Sequence, residues 1–402
     1  MSLSLTDVRA AAAQLEGKVE KTPCRLSRTL SEITGAEIYL KFENLQYTAS
    51  FKDRGSLVKL LSLPEDERRN GVIAMSAGNH AQGVAFHASQ LGVPATIVMP
   101  EGTPNIKIRQ TELLGATVVV KGETVDESAD VARQLGKTGG LTFIHPFDDV
   151  HVIAGQGTVG LEILEAVPDL ECLVVPVGGG GLISGIAIAA KELSPNIEIV
   201  GVETEVYPSV YNAVAGDNRP IGGQTIADGI AVKKPGGLTV PIIRDMVSDI
   251  ITVPESEIEN AINMLIAIEK TVVEGAGAVG LAAVLANRDR FTGRKVGLVL
   301  SGGNIDTRML ASILMRGLIR EGRIARIRLE IPDRPGTLAE ISGIIGKAGG
   351  NILEVQHQRM FIDVPAKLAE LEFIIECRDD DHVARVIEQL RGADFAVMRY
   401  SN

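Results

Sequence analysis

Short apolar runs alternate with longer alanine-rich segments from the N-terminus to about residue 320. A short β-branched run predicts a buried strand, and an alanine-rich segment predicts a helix. Strands that alternate with helices are typical of a parallel α/β architecture, because each crossover between parallel strands needs a long connection. The predicted strands are Glu37–Phe42, Gly71–Met75, Ala95–Met99, Ala116–Val120, Cys172–Val177, Glu198–Val202 and Val296–Leu300.

The pattern of apolar positions changes after Arg323. Ile324–Ile331 alternates apolar and charged residues, which predicts a half-exposed strand. The remaining elements give the order βαββαβ, which predicts a ferredoxin-like module. Their predicted bounds are a helix from Pro335 to Gly349 capped by Asp333, an extended run Asn351–Arg359, a turn around Asp363 and Pro365, a strand with Leu371, Phe373, Ile375 and Cys377 on one face, a helix His382–Arg391 and a strand Phe395–Tyr400, with a joint to the preceding body at Arg316–Arg323.

Composition excludes several classes of protein. The 402 residues include 51 acidic and 40 basic side chains, and the net charge of −11 argues against nucleic-acid partners and against an anionic membrane surface. Three cysteines without metal or disulfide spacing predict a cytoplasmic location, and Met1–Asp7 shows no signal peptide. The uncharged stretch Cys172–Ala190 has the length of a membrane span, but its four consecutive glycines predict a strand, a turn and a helix.

Glycine is in excess, with 43 residues, and the most informative of them are Gly178, Gly179, Gly180 and Gly181. They follow an apolar strand and precede an apolar helical segment. Glycine lets the backbone approach an anion and a helix N-terminus adds partial positive charge, so this turn predicts a phosphate site. It is neither a Walker loop nor the dinucleotide pattern, which needs glycine where Ser184 stands. A tight strand–helix turn without a ligand is the alternative.

Two further turns place small and polar residues at the ends of predicted parallel strands, Ser76–Gly83 and Ser301–Asn304. Because ligands bind such sheets at the carboxyl ends of the strands, the three turns are expected to converge on one phosphorylated ligand. Lys52 lies two positions before Arg54. A partly desolvated lysine beside a second cation can lose its proton and form a Schiff base, whereas spacing alone favours a solvated lysine paired with Asp53.

Four motifs together resemble the fold-type II pyridoxal-phosphate enzymes, and among them the threonine dehydratase (threonine ammonia-lyase) family, which has relatives in serine dehydratase and serine racemase. In chain order the motifs are residues 41–55, Ser76–His80, Gly178–Gly181 and Ser301–Asn304. The tail resembles an ACT domain through Asp333–Ile341 and Gly350–Ile352. The resemblance implies an α/β fold with two lobes of parallel sheet and flanking helices, followed by a ferredoxin-like ACT domain. We expect a catalytic domain at 1–320, with a smaller lobe at roughly 48–150, and a regulatory ACT domain at 324–402.

The resemblance also implies a role for each matching residue. Lys52 would hold pyridoxal 5'-phosphate and then act as the general base, with Phe51 beside the cofactor ring. Asn79 would hydrogen-bond the phenolic oxygen, Ser301 would face the pyridine nitrogen, and the four glycines would bind the phosphate. The substrate carboxylate would be bound by the loop of Ser76, Ala77, Gly78, Asn79 and His80, and an effector by Asp333, Gly336, Thr337, Asn351 and Ile352.

The implied reaction is deamination of L-threonine to 2-oxobutanoate and ammonia by β-elimination of the hydroxyl group, with L-serine as a secondary substrate. Isoleucine or valine would regulate a cytoplasmic homo-oligomer, a dimer or tetramer, in isoleucine biosynthesis. Serine racemase or serine dehydratase activity and a non-catalytic amino-acid sensor are the alternatives. Ala77 stands where racemases carry a serine, which disfavours racemisation. No metal ligand is predicted, since Glu203 lacks the second carboxylate near Ser209 that a cation site in relatives uses.

Three residues beside these motifs also bear on the site. Ala49 stands where glycine is common in the lysine motif, and we expect the change to be tolerated. Glu274 is a lone acid in an apolar stretch, which fits a structural hydrogen bond and a place in the active site equally well. His145 has no partner pattern, so a structural role is expected.

Overall fold

The computed structural model describes residues 3–360, 365 and 367–400. By internal contacts the chain divides into two units, residues 1–305 and 306–402. The strands are β1 (Cys24–Ser27), β2 (Glu37–Lys41), β3 (Val72–Met75), β4 (Ala95–Met99), β5 (Thr117–Val120), β6 (Thr142–Phe143), β7 (Cys172–Pro176), β8 (Glu198–Thr204), β9 (Asp249–Val253), β10 (Lys295–Val299), β11 (Ile324–Pro332), β12 (Asn351–Gln358), β13 (Leu368–Glu376) and β14 (Ala396–Arg399).

Helices separate most of these strands, and none within the described ranges is long and apolar enough to cross a membrane. They are α1 (Leu5–Leu15), α2 (Arg28–Thr34), α3 (Lys52–Ser62), α4 (Glu65–Asn70), α5 (Asn79–Gln90), α6 (Asn105–Leu113), α7 (Val125–Gly139), α8 (Val150–Ala166), α9 (Gly181–Leu193), α10 (Ser209–Ala215), α11 (Thr239–Met246), α12 (Glu255–Met264), α13 (Gly275–Ala286), α14 (Arg288–Phe291), α15 (Thr307–Arg320), α16 (Thr337–Lys347) and α17 (Asp380–Gly392).

The first unit contains two sheets, as the alternating pattern predicted. The larger has the order β1-β2-β10-β7-β8-β9 and is parallel except for β1, while the smaller, β5-β4-β3-β6, is parallel throughout. The uncharged stretch Cys172–Ala190 forms β7, a turn and α9, all almost wholly buried, which confirms the strand–turn–helix prediction. Strands β1 and β6 were not predicted, because they have only four and two residues and lack a continuous apolar run. Strand β9 was also not predicted, although Ile250–Val253 is β-branched throughout.

Helix α8 lies between α3 and α9, and glycines allow both crossings. A Cβ on Gly155 would lie 2.7 Å from the Cα of Gly55 in α3. On the opposite side of α8, a Cβ on Gly185 of α9 would overlap the carbonyl oxygen of Ile153. Part of the glycine excess therefore serves close helix packing, in addition to the turns at the strand ends.

A buried ion network fixes the beginning of α3. Arg54 pairs with Glu43 at 2.7 Å and with Glu162 at 2.6 Å, and Lys41 shares Glu162. Burial alone would raise the pKa of Glu43, but the adjacent guanidinium outweighs it and leaves that pKa below its ordinary value. Two cations and two carboxylates thus neutralise one another beneath the helix that starts at Lys52, tying it to β2 and α8.

The second unit is the predicted βαββαβ module, preceded by α15. Its antiparallel sheet has the order β12-β13-β11-β14, and one face packs on α16 and α17 through a core that includes Ile327, Leu371, Phe373 and Ile375. The alternation seen in β11 is the alternation of its buried and exposed faces.

Three expectations for this part of the chain differ from the structure or fall outside it. Asp333 does not cap α16, because the left-handed Gly336, with φ +94°, begins that helix at Thr337, and Asp333 pairs instead with Arg359. The predicted joint at 316–323 is the end of α15 and the turn after it, and the chain divides before that helix. The turn expected at Asp363 lies outside the described residues. The limits 1–320 and 324–402 stay predictions.

Candidate active site

The turn before α3 and the turn after β10 pair with each other along their backbones. The N–H of Phe51 donates to the carbonyl of Ser301 at 3.1 Å, and the N–H of Gly303 donates to that of Ala49 at 2.8 Å. Helix α3 then begins at Lys52, whose Nζ lies 5.2 Å from the centre of the Phe51 ring. Ser301 is therefore a neighbour of Phe51 and Lys52, although it lies far from them in the chain.

Ala49 adopts a left-handed backbone conformation, with φ +56°. An L-residue is strained in this region, whereas glycine is not. The strain gives a physical reason for the glycine that is common at this place in the motif.

The amine of Lys52 is half-buried and held by a backbone carbonyl. Its Nζ donates to the oxygen of Pro146 at 2.7 Å. Burial lowers the pKa of Lys52 to about 8, against the opposing attraction of Glu274. The interpretation as a solvated lysine paired with Asp53 is wrong, because that carboxylate is fully buried and accepts its hydrogen bonds from Thr48. Near neutral pH about a tenth of the Lys52 amine is unprotonated, which makes it available as a nucleophile or a base.

The loop Ser76–His80 joins β3 to the N-terminus of α5 and leaves several main-chain donors free. The N–H of Gly78 donates to the hydroxyl of Ser76 at 3.1 Å, whereas those of Ala77, Asn79 and His80 have no acceptor among the described residues. A Cβ on Gly78 would have nothing within 4 Å, so the loop borders open space. Free N–H groups at a helix N-terminus suit a carboxylate.

His80 anchors this loop. It is buried, and its Nε2 lies 3.0 Å from the carbonyl oxygen of Ile144. Burial lowers the pKa of His80 to about 3, so the ring is neutral near neutral pH and donates this hydrogen bond. The geometry fits a residue that shapes the turn.

Glu274 lies beside Asn79, a residue of the candidate site, and makes a side-chain hydrogen bond there. The Nδ2 of Asn79 donates to Oε1 of Glu274 at 2.6 Å, and the N–H of Glu274 donates to the carbonyl of Gly302 at 3.0 Å. Burial raises the pKa of Glu274 to about 8, and the negative charge of Asp228 adds to the rise. The Oδ1 of Asn79 is buried and has no partner among the described residues.

The turn Gly178–Gly181 connects β7 to α9 and presents free donors. The N–H groups from residue 178 to residue 183 have no acceptor among the described residues, and Gly180 has φ +93°. Together with the N-terminus of the 13-residue helix α9, they form an array that suits an anion. Packing gives a second reason for glycine here, because a Cβ on Gly179 would overlap the ring of Phe147.

Residues 144–149, which follow β6, connect the lysine to the glycine turn, and sequence reasoning missed them. Pro146 accepts from the lysine amine, Phe147 packs on the glycine turn, and the carboxylate of Asp148 accepts two N–H groups from the turn before α11. His145 accepts the N–H of Asp148 through Nδ1 at 2.8 Å, a structural contact. The two-residue strand β6 leaves no periodicity that could have drawn attention to the segment.

Comparison with known proteins identifies the family. Residues 15–302 match the family described as pyridoxal-phosphate dependent enzyme. The chain belongs to this family. Residues 325–394 match the ACT domain. L-Threonine ammonia-lyases from Thermotoga maritima and Geobacter sulfurreducens are 48% and 45% identical to this chain, over 98% of it and 99% of each relative.

Solved structures of a threonine deaminase and a serine racemase share the fold. The processed form of threonine deaminase isoform 2 from Solanum lycopersicum superposes with a TM-score of 0.73 at 35% identity, covering 77% of this chain and 86% of that one. Maize serine racemase superposes with a TM-score of 0.74 at 33% identity, covering 80% of this chain and all (100%) of the other. The predicted fold class, the ACT module and dependence on pyridoxal phosphate are confirmed.

The residues present fit pyridoxal phosphate. The free N–H groups of the glycine turn suit its phosphate, and the amine of Lys52, with its lowered pKa, suits covalent attachment. The second hydrogen on Nδ2 of Asn79 is a donor without an acceptor among the described residues, and it suits the phenolic oxygen of the cofactor. The glycine turn, Lys52 and Asn79 therefore each offer a group of matching chemistry to the cofactor.

Glu203, the residue that the resemblance placed at a cation site of some relatives, makes its hydrogen bonds within the protein. Its carboxylate accepts the N–H groups of Val210 and Tyr211, both at 2.8 Å. It is fully buried, and burial raises its pKa to about 7. No group of three side chains suited to a metal occurs among the residues that the structure describes.

The residues expected to bind an effector form two groups in the ACT domain. Gly336 and Thr337 follow Asp333 in the turn from β11 to α16, while Asn351 and Ile352 begin β12. The hydroxyl of Thr337 donates back into its own turn, and Asn351 donates to Glu376 at 3.0 Å. No hydrogen bond joins the two groups within the described part of the domain.

Proposed function

We propose that this enzyme deaminates L-threonine to 2-oxobutanoate and ammonia by β-elimination of the hydroxyl group. The two L-threonine ammonia-lyases at 48% and 45% identity, which align with 98% of the chain, support the substrate. The observation that carries the proposal is the amine of Lys52, which is half-buried with a pKa of about 8 and follows Phe51, whose N–H donates to the carbonyl of Ser301.

The residues divide the chemistry between them. Pyridoxal phosphate, when bound, supplies an electron sink for the charge that develops at Cα of the substrate. The Lys52 amine would hold the cofactor and, once free, would take the Cα proton, for which a pKa near neutrality is favourable. Ser301 would face the pyridine nitrogen, and unlike a carboxylate it would not keep that nitrogen protonated, which favours departure of the β-hydroxyl group. The released enamine tautomerises and hydrolyses to 2-oxobutanoate and ammonia.

The backbone turns bind the two anions. The N–H groups of the loop Ser76–His80 take the substrate carboxylate, and those of Gly178–Gly181 take the cofactor phosphate, with Phe51 beside the ring. Asn79 binds the phenolic oxygen. These roles rest on the free donors described above and on the order of the motifs.

L-Serine is proposed as a secondary substrate, because it has the same leaving group and lacks only the β-methyl group. The solved serine racemases share the fold at 33% and 38% identity, which keeps racemisation as the alternative activity. Ala77 carries no group that could hold a proton, so we do not propose racemisation for this enzyme. A non-catalytic sensor has no use for the desolvated amine of Lys52.

The test measures the cofactor and the product separately. The purified protein should show visible absorbance that borohydride abolishes, and Lys52→Ala should lack it. Lys21→Ala removes an exposed lysine and is the matched control that keeps the absorbance. Release of 2-oxobutanoate from L-threonine should exceed that of pyruvate from L-serine, and chiral analysis of the remaining serine detects racemisation. Absorbance without release of either 2-oxoacid would refute the lyase assignment.

The ACT domain is proposed to bind isoleucine or valine and to regulate a dimeric or tetrameric cytoplasmic enzyme in isoleucine biosynthesis. Support comes from the ACT match at residues 325–394. Asp333, Gly336, Thr337, Asn351 and Ile352 are the proposed contacts, in the domain at 324–402 that follows the catalytic domain at 1–320.

Calorimetry on the full chain, with each amino acid in turn, tests the effector. The heat of binding should be lost in Asp333→Ala/Asn351→Ala and kept in Lys52→Ala. Equal binding by the double variant and the unaltered chain would contradict the proposed contacts, and binding lost in Lys52→Ala would place the ligand in the active site instead.

A further inference from the structure

Glu274 is anchored by its backbone rather than by its side chain. It precedes the first residue of α13, where its carbonyl accepts from Gly277 and Ala278 at 3.0 and 3.1 Å and its N–H donates to Gly302. A carboxylate at this position often caps its own helix, but here it makes no such hydrogen bond. It is turned instead to Asn79, at 2.6 Å.

A glycine makes room for the pair. A Cβ on Gly302 would overlap Oε1 of Glu274 and lie 2.9 Å from Nδ2 of Asn79, closer than the 3.4 Å at which ordinary contacts begin. Glu274 is only 4% exposed, so water cannot readily replace its carboxyl group as the acceptor for Asn79. The backbone at Gly302 therefore packs against both side chains and holds them in contact.

A side-chain amide can be reversed about its last bond, which exchanges its oxygen and its nitrogen. An acceptor 2.6 Å from Nδ2 permits only one of these orientations. Oε1 can accept whether or not Glu274 is ionised, since a proton can reside on Oε2. The charged groups that act on this carboxyl are Asp228, Lys107 and Lys52, and Asp228 is itself paired with Lys107 at 2.9 Å.

We propose that Glu274 is a positioning residue that holds the amide of Asn79 in a single orientation, with the second hydrogen of Nδ2 free for the phenolic oxygen of bound pyridoxal phosphate. The inference rests on the proposed function, which takes Asn79 as the contact to that oxygen. Glu274 acts through Asn79 and needs no contact of its own with the cofactor.

A double-mutant cycle on the full-length protein tests this dependence. The Kd for pyridoxal phosphate is measured by titrating cofactor-free protein, and the absorbance maximum of the bound form is recorded with each variant. Glu274→Ala should weaken binding about tenfold, the effect of one lost hydrogen bond to a charged partner, and should move the absorbance maximum. In the Asn79→Ala background the same change should have no further effect on either quantity. A tenfold loss that persists in that background would overturn the proposal, as would an unchanged Kd in Glu274→Ala.

Conservative and control variants separate positioning from general damage. Glu274→Gln keeps an oxygen that can accept from Nδ2, so its Kd should lie within about threefold of the unaltered protein. A Kd as weak as that of Glu274→Ala would show that charge decides and would overturn the proposal. Glu203→Gln alters another fully buried carboxyl and should change neither Kd nor spectrum. If Glu274→Ala does not fold, Glu274→Leu takes its place in the cycle. Failure of the unaltered protein to bind the cofactor would instead refute the proposed function.

Discussion

Replacement of Gly155 by alanine should displace the helix that begins at Lys52. The new Cβ would lie 2.7 Å from Cα of Gly55 and 2.9 Å from the carbonyl oxygen of Arg54, whereas ordinary contacts begin at 3.4 Å. Because the obstructing atoms belong to the main chain, no side-chain rotation relieves the overlap, and the helices must separate by the difference, about 0.7 Å. Overpacking of this kind costs about 1–3 kcal/mol, and the better helix propensity of alanine returns about 1 kcal/mol.

We therefore expect Gly155→Ala to lower the free energy of unfolding by up to about 2 kcal/mol. A displacement of about 1 Å at a reacting group can cost about a hundredfold in rate, so kcat should fall by about tenfold or more. Urea unfolding and steady-state release of 2-oxobutanoate measure the two effects. Gly280→Ala in α13 is the control, because its nearest neighbour would be at 3.6 Å. If Gly155→Ala is as stable and as active as this control, the reasoning about the close crossing is wrong.

Three further predictions concern charge and backbone strain. Attachment of pyridoxal phosphate to cofactor-free protein should accelerate as pH rises through about 8, where Lys52 loses its proton, and an inflection near the ordinary value of 10.5 would contradict this. Burial raises the pKa of the Glu203 carboxyl to about 7 in the folded protein, from an ordinary pKa of 4.5. Between these two pH values the folded state binds more protons than the unfolded state, so the free energy of unfolding falls as pH rises from 4.5 to 7. Glu203→Gln should reduce that fall in Tm between pH 4.5 and 7, and an unchanged profile would refute the assignment. Ala49→Gly should stabilise the protein by about 0.5–1 kcal/mol by relieving its left-handed strain, whereas the control Ala10→Gly on the exposed face of α1 should destabilise it by about 1 kcal/mol. A loss in both variants would contradict the argument.

The predicted elements succeeded where burial produces a regular pattern. Strand β7 lies in the middle of its sheet, so every residue is buried and the run is wholly apolar, and β11 faces the core on one side only, so it alternates. Strands β1 and β6 have only four and two residues, which is too few to show either pattern, and the β-branched run of β9 was overlooked. The cap assigned to Asp333 was wrong because the left-handed Gly336 starts the helix later.

The residues of the candidate site also divide into those that a sequence pattern reveals and those that it does not. Turns rich in glycine after buried strands could be found in the sequence, because bare backbone beside an anion requires that residue type at that place. The contribution of Pro146 and Phe147 could not be found in the sequence. A carbonyl that accepts a hydrogen bond from an amine and a ring that packs on glycine require no local sequence pattern. The sequence by itself determined the α/β body and the ACT module, and its motifs pointed to Lys52 as the residue that we propose holds the cofactor. Only the tertiary structure decided that burial lowers the pKa of Lys52 and that Glu274 faces Asn79, because both depend on residues that are distant in the chain and meet only when the sheets and helices pack.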